Sequence, residues 1–301
     1  MARPTRPLVN STLALIGAAS VSLSVHAQGT PETPAAEPPT PAAAPHEWKP
    51  GQPITTADDL LVALETADLE IKTFKAGIRY TRIFSLAGDE QIRDGTLYYE
   101  TLDRGDATTP ASRRFAVHFT QLRVGKRVEK EPKDYIFDGE WLVERLEKDK
   151  QFIKRQVVPP GERFDPLRIG EGPFPVPVGQ RRDDVLKRYR VTMLAPDDGV
   201  DVDSLRSFIN SGDGSYQLLL VPIADPQDAD ELAEIRVWYR KSDLLPRMAR
   251  TINLVGDESI IQMLNPEKNP KDLPYRIFDT ATPARGWNVR IEPYRGRIDP
   301  P

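Results

Sequence analysis

Few residues of this chain could carry acid–base or metal chemistry. The sequence has three histidines and no cysteine, so thiol catalysis, thiolate metal sites and disulfides are excluded. His26 and His46 fall in an apolar N-terminal segment and a proline-rich stretch, which leaves His118 for the folded region. One histidine cannot form a histidine-rich metal site, and neither a GxSxG nor an HExxH motif occurs. We therefore predict that the protein is not an enzyme and that His118 is an ordinary strand residue rather than a catalytic base.

Three other patterns resemble binding sites only in composition. The segment Gly170–Gln180 reads GEGPFPVPVGQ, and its prolines remove the N–H donors that a phosphate-binding loop needs. Four aspartates between residues 197 and 203 lack the glycine and glutamate of a calcium loop. Asp138 and Glu140 could form a carboxylate pair, but a turn already explains Asp138. We therefore predict no metal site and no cofactor.

The elements that would position a site follow from changes in hydrophobic period. Apolar residues at spacings of four, three and four predict an amphipathic helix from Ala57 to Lys72, with Thr55 and Thr56 as caps. At Phe74 the period changes to two, which predicts a strand directly after the helix. The helix stripe and one side of this strand are formed by Leu60, Leu64, Ala67, Ile71, Phe74, Ala76, Ile78, Tyr80 and Phe84.

Period-two alternation predicts many short strands against two helices, an antiparallel architecture with helices as covers. A type I′ turn at Asp138-Gly139, with positive φ at both residues, joins one predicted hairpin. Arg181–Tyr189 is the second helix, and residues 197–209 are ambiguous. The further strands are predicted at Gln91–Thr101, Arg114–Leu122, Tyr135–Phe137, Trp141–Val143, Phe152–Val158, Val191–Leu194, Tyr216–Ile223, Tyr275–Phe278 and Trp287–Ile291.

A three-strand meander is predicted from Ile235 to Leu264, around which the rest of the chain is organised. In its first strand three apolar residues alternate with Arg236, Trp238 and Arg240, a pattern typical of a half-buried strand. We therefore expect a sheet with one wet face and one apolar face, and the apolar face needs a cover.

The order of these motifs resembles the LolA family of periplasmic lipoprotein carriers, over roughly Thr55 to Ile291. No single motif is specific, and the resemblance rests on their succession. They are FKAGIRYTRI at Phe74–Ile83, DGTLYYE at Asp94–Glu100, RRFAVHF at Arg113–Phe119, YIFDGEWLVE at Tyr135–Glu144 and FDTATPARGWNV at Phe278–Val289. The family's basic residue before the third strand precedes a proline, whereas Arg113 and Arg114 abut Phe115, so no lid-latching arginine is carried over.

The resemblance implies a mainly β (α+β) fold, an unclosed antiparallel β-barrel capped by helices, with acyl chains held between sheet and lid. The partners would be lipoprotein acyl chains or other lipids, with membrane-bound donor and acceptor proteins, and we expect a monomer. A closed core formed by the same residues is the alternative, and so is a protein-interaction or sensor module on this fold; a hydrolase is disfavoured. The candidate lipid-binding residues are Leu60, Leu64, Ile71, Ile78, Tyr80, Phe115, Val117, Phe119, Val185, Leu186 and Val237.

The first 53 residues predict that the protein is exported and that a disordered linker precedes its folded domain. Two arginines, the apolar run Leu13–Val25 and the small-residue site at Ala27 are typical of a signal peptide over residues 1–27, an uncleaved anchor being the alternative. Residues 28–53 contain eight prolines and predict a disordered linker. A lipid-binding domain is expected at 54–294 and a tail at 295–301, in a periplasmic protein that is not itself lipidated because it has no cysteine. After cleavage 39 basic residues face 45 acidic ones, a net charge of −6 that argues against nucleic acid as a partner.

Overall fold

Twelve strands in one sheet and three helices form the part of the chain that the computed structural model describes, residues 49–103, 112–159, 161–162, 169, 178, 180–223 and 232–294. The helices are α1 (Ala57–Asp68), α2 (Arg182–Arg188) and α3 (Asp203–Ile209). The strands are β1 (Thr73–Phe84), β2 (Asp89–Asp103), β3 (Ser112–Val124), β4 (Arg127–Phe137), β5 (Trp141–Leu146), β6 (Gln151–Gln156), β7 (Tyr189–Leu194), β8 (Ser215–Pro222), β9 (Leu232–Arg240), β10 (Pro246–Asn253), β11 (Glu258–Lys268) and β12 (Asn288–Glu292).

The sheet runs in the order β12-β6-β5-β4-β3-β2-β1-β11-β10-β9-β8-β7 and does not close, so β7 and β12 are its edges. All neighbours are antiparallel except β12, which lies parallel to β6. The predicted fold class, a mainly β, unclosed antiparallel sheet with covering helices, is confirmed. The prediction of a strand at Tyr275–Phe278 is wrong, because these residues form a turn on the path to β12.

Helix α1 covers one side of the sheet, which we call the inner face; its central residues are Phe74, Ile78, Leu97 and Val117. A capping box starts the helix: Asp59 N–H donates to Thr56 Oγ1 (3.1 Å), and Thr56 N–H donates to the Asp59 carboxylate (2.8 Å). The helix ends at Asp68, four residues before the predicted end, and the chain then turns so that Ile71 still reaches the apolar cluster.

The other side of the sheet is called the outer face. It was expected to be exposed to solvent along the meander, but part of it is buried. Trp238 is fully buried and packs with Val200, Ile209 and Met248 under α3. Its indole N–H donates to the carbonyl of Pro196 at 2.7 Å. The loop before α3 and α3 itself therefore cover the face that strand alternation assigned to solvent.

The hairpin between β4 and β5 is present, but its predicted turn type is wrong. Asp138 N–H donates to the Trp141 carbonyl (3.2 Å), so the two central residues are Gly139 and Glu140. Only Gly139 has a positive φ, 114°, whereas a type I′ turn requires two. The Asp138 carboxylate instead accepts from the N–H groups of Glu140 and Trp141 and fixes the turn from its start.

Several predictions concern residues outside the described ranges. These are the signal peptide at 1–27, the linker as far as residue 48, the tail at 295–301, and all of Gly170–Gln180 except Val178 and Gln180. In the part of the chain that is described, no helix has the length and apolar character needed to cross a bilayer.

Candidate functional site

The structure brings the eleven predicted lipid-contacting residues into one apolar cluster between α1, α2 and the inner face. Leu64, Tyr80 and Leu186 are partly exposed at its margin, and the other eight are buried. The aromatic rings form a continuous row, with Tyr80 and Phe119 centroids 6.1 Å apart and Phe119 and Tyr135 centroids 6.4 Å apart. Strand alternation predicted that Tyr80 and Phe119 lie on the apolar sides of β1 and β3, because period two holds over the central part of both strands, but it did not predict the contact between their rings.

A buried ion pair attaches α1 to the sheet. Arg113 Nη2 on β3 donates to Asp68 Oδ2 at the end of α1 (2.8 Å), and the two side chains are only 6% and 12% exposed. Burial raises the pKa of Tyr239, and the nearby Asp68 charge raises it further, so the Tyr239 hydroxyl stays protonated beside the pair. The Arg113–Asp68 pair therefore links the end of α1 to β3, in addition to the apolar contacts of the helix.

Helix α2 is tied to α1 rather than only to the sheet. Arg182 Nε donates to Asp58 Oδ1 (2.5 Å), and the Arg182 backbone N–H donates to Glu65 Oε2 (3.2 Å). The hydrogen bond to Asp58 raises the pKa of Arg182. Since Val185 and Leu186 on α2 also join the inner cluster, the two helices form a single covering layer, here called the lid.

Among the described residues, little space is left at the end of α1. A crevice at the end of α1 has a volume of about 20 Å³, roughly the space of one water molecule. Its lining includes Leu64, Ala67, Ile71, Tyr239 and Leu244. An acyl chain therefore has no room beside these residues unless α1 moves away from the inner face.

The inner face changes character on β4 and β5, which the sequence analysis did not anticipate. Lys133 Nζ lies 2.6 Å from Glu144 Oε1, and Arg93 Nη2 lies 2.7 Å from Glu131 Oε1. Burial lowers the pKa of Lys133, but hydrogen bonds to Glu144 and Tyr135 outweigh it, so the net shift is upward. The inner face is thus apolar under α1, and it carries ion pairs along the part of β4 that precedes Tyr135.

His118 lies on the outer face, away from the inner cluster. Its Nδ1 is 2.8 Å from Asp134 Oδ1, and Arg145 Nη2 is 2.6 Å from Asp134 Oδ2. Burial raises the pKa of Asp134, but the His118 hydrogen bond and the Arg145 charge outweigh it and lower the pKa. No group of three or more potential metal ligands occurs in the described ranges.

A cleft of about 600 Å³ opens on the outer side, between the segment 270–279 and the ends of β1, β2 and β3. Ile277 and Phe278 of this segment pack against the outer-face residues Ala116 and Ile136. The Arg114 guanidinium lies 4.4 Å from the Phe278 ring centroid and is paired with Glu100 (2.6 Å). Tyr275, at the mouth of the cleft, is almost fully exposed.

No protein-family model and no curated protein sequence matches this chain. Solved structures that it is similar to include an uncharacterised conserved protein from Thermus thermophilus (11% identity, 78% of this chain and 99% of that one, TM-score 0.42). Others are a putative outer membrane lipoprotein-sorting protein domain from Vibrio parahaemolyticus (11%, 73% and 95%, 0.36) and a LolA superfamily protein from Nitrosomonas europaea (13%, 75% and 98%, 0.30). The LolA resemblance predicted from the motifs is therefore found again among solved structures. At these identities and TM-scores it carries no function over to this chain.

Proposed function

We propose that this protein is a periplasmic carrier or binder of lipoproteins or other acylated lipids, which holds acyl chains between the lid and the inner face. The observation that carries the proposal is a large apolar cluster under a helical layer, in which the Arg113–Asp68 ion pair attaches α1 to the sheet. We include export through the N-terminal signal peptide in the proposal, because the exchange partners would be membrane-bound donor and acceptor proteins.

The energetics allow an acyl chain to replace the lid. Transfer of an acyl chain from water is favoured by about 0.8 kcal/mol per buried CH₂ group. Opening the lid exposes the apolar side of α1, including Leu60, Leu61 and Ala63, which costs about 25 cal/mol per Å² of apolar surface. A ligand with one or two long chains covers the same inner-face residues, so ligand contacts offset the lost lid contacts without any cofactor.

A cross-link across the ion pair tests whether lid movement is required. The chain has no cysteine, so an Asp68→Cys/Arg113→Cys variant can be joined selectively by a short thiol-specific cross-linker. We expect the double-cysteine variant to take up a fluorescent fatty acid before it is cross-linked and to lose that uptake after cross-linking. Because both forms carry the same substitutions, loss of the ion pair cannot explain the difference. Equal uptake by the two forms would contradict the proposed route under α1.

A second candidate is an envelope protein-interaction or sensor module that uses the same fold without lipid transport. The outer cleft beside Tyr275, which is separate from the inner cluster, favours it. Under this candidate, Tyr275→Ala abolishes partner binding and Leu64→Glu leaves it intact. Under the carrier proposal, Leu64→Glu or Ile71→Glu abolishes lipid uptake, with circular dichroism confirming that the variant is folded.

A further inference from the structure

Three hairpin tips lie side by side at one end of the sheet. The order β4-β3-β2-β1-β11-β10 places the β3–β4, β1–β2 and β10–β11 hairpins next to one another. Register confirms that their turns point to the same end, since Phe84 pairs with Asp89 and Ile83 pairs with Glu258. These tips are the connections 125–126, 85–88 and 254–257.

The tips present large aliphatic side chains to solvent. Leu86 is 94% exposed at the β1–β2 tip, and Leu254 and Val255 are 69% and 64% exposed at the β10–β11 tip. Val124 and Val128 flank the β3–β4 tip and are also exposed. A single exposed leucine is ordinary, whereas a group gathered at one end of a fold indicates an interaction surface.

Hydrogen bonds hold these aliphatic tips in place. Ser85 N–H donates to Asp257 Oδ1 (2.9 Å), and Ser85 Oγ donates to the Val255 carbonyl (2.9 Å), so the two turns are joined. Asn253 Oδ1 accepts from the N–H groups of Val255 and Asp257 (3.1 and 2.8 Å). The exposed side chains are therefore projected by an ordered backbone.

The charges around the tips are mixed, and several cations there lack a counterion among the described residues. Lys126 occupies the β3–β4 tip, and no carboxylate of the described residues pairs with it or with Arg82, Arg123 or Lys130. The exposed acids Asp89 and Glu90 lie at the same end. Charges of both signs therefore lie at this end. The cations have no carboxylate partner among the described residues, and the Arg82 guanidinium packs over the Phe84 ring at 4.9 Å.

We propose that this end of the sheet, the hairpin-tip surface, docks on a phospholipid bilayer. A fluid bilayer accommodates isolated aliphatic groups at its interface and needs no shaped groove. The unpaired cations complement the headgroup phosphates. On β1, Ile78 and Tyr80 belong to the inner cluster, and the strand ends at Phe84, two residues before Leu86. The docking proposal depends only on this geometry. The further idea that docking helps to transfer acyl chains rests on the proposed function.

Flotation with vesicles of phosphatidylethanolamine and phosphatidylglycerol tests the docking surface. We expect the full chain to float with the vesicles and the Leu86→Ser/Leu254→Ser variant to bind at least about tenfold more weakly. Lys126→Gln should weaken binding about fivefold at low salt. The matched control, Leu102→Ser/Val202→Ser, removes two exposed aliphatic residues elsewhere and should bind like the unaltered chain.

The same variants separate this inference from the carrier proposal. The tip variant should still take up monomeric fluorescent fatty acid from solution, because its inner face is unchanged. A chain that floats through its tips but takes up no fatty acid supports docking and contradicts the carrier. An unaltered chain that does not float, a tip variant that floats equally well, or a control that loses binding to the same extent overturns the docking proposal.

Discussion

The Arg113 guanidinium lies 2.8 Å from the Asp68 carboxylate and joins β3 to the last residue of α1. Both side chains are buried, where a close opposite charge offsets part of the cost of desolvation. This pair is where the covering helix is attached to the sheet by charge rather than by apolar contact.

Removing one member of the pair should destabilise the fold and loosen the lid. We expect Arg113→Ala to lower the free energy of unfolding by about 3–5 kcal/mol, because the buried Asp68 carboxylate loses the positive charge that lies 2.8 Å from it. The double variant Asp68→Leu/Arg113→Met should lie within about 1 kcal/mol of the unaltered chain, since it removes both charges and keeps apolar volume. Urea unfolding measures both, and a double variant as unstable as Arg113→Ala would contradict this account of the pair.

Stability should also depend on pH through Asp134. Its pKa in the folded protein is below the ordinary 3.8, so the folded state favours the charged form. The resulting stabilisation is fully present above the pKa of the unfolded chain and is lost as the pH falls through the folded value. Unfolding measured between pH 7 and pH 2 should show a smaller acid-induced loss for Asp134→Asn, and identical pH profiles would contradict the role of the carboxylate.

The outer face should behave as a second core. Trp238→Ala leaves a cavity under α3 and should cost about 3–5 kcal/mol, and Trp238→Phe should cost about 1–3 kcal/mol through the unpaired carbonyl of Pro196. Tyr275→Ala is the matched aromatic control, because its exposed ring should contribute within about 0.5 kcal/mol. Thermal unfolding distinguishes them, and a Trp238→Ala variant as stable as the control would show that α3 does not cover a core.

Gly95 should tolerate no side chain. A Cβ placed there would clash with the His118 carbonyl oxygen, whereas at Gly77 the nearest atom, Leu264 Cβ, lies at 3.3 Å. We expect Gly95→Ala to lower the free energy of unfolding by more than about 2 kcal/mol, because two backbones of the sheet would have to separate. Gly77→Ala should have a clearly smaller effect in the same denaturant titration, and equal effects would contradict the close approach of β2 and β3.

Local sequence patterns predicted the helices and strands more accurately than they predicted which segments cover the two faces of the sheet. Period-two alternation placed the inner-face residues on β1 and β3 because one side of these strands is buried. It misassigned Trp238, because the covering helix α3 comes from a segment whose sequence pattern was ambiguous. The Arg113–Asp68 pair joins residues 45 positions apart, and no local spacing encodes such a contact. The sequence did carry a signal for the ion pair between β4 and β5. Strand alternation places Lys133 and Glu144 on the same side of the sheet as Tyr135 and Leu142, so two opposite charges were to be expected on the inner face.

The most direct test of acyl binding is mass spectrometry of an organic extract from protein purified without detergent from its native envelope. The carrier proposal predicts a stoichiometric acylated lipid or lipopeptide, and predicts its loss from a folded Leu64→Glu variant. A stable protein that contains no lipid and takes up no fluorescent fatty acid would contradict it.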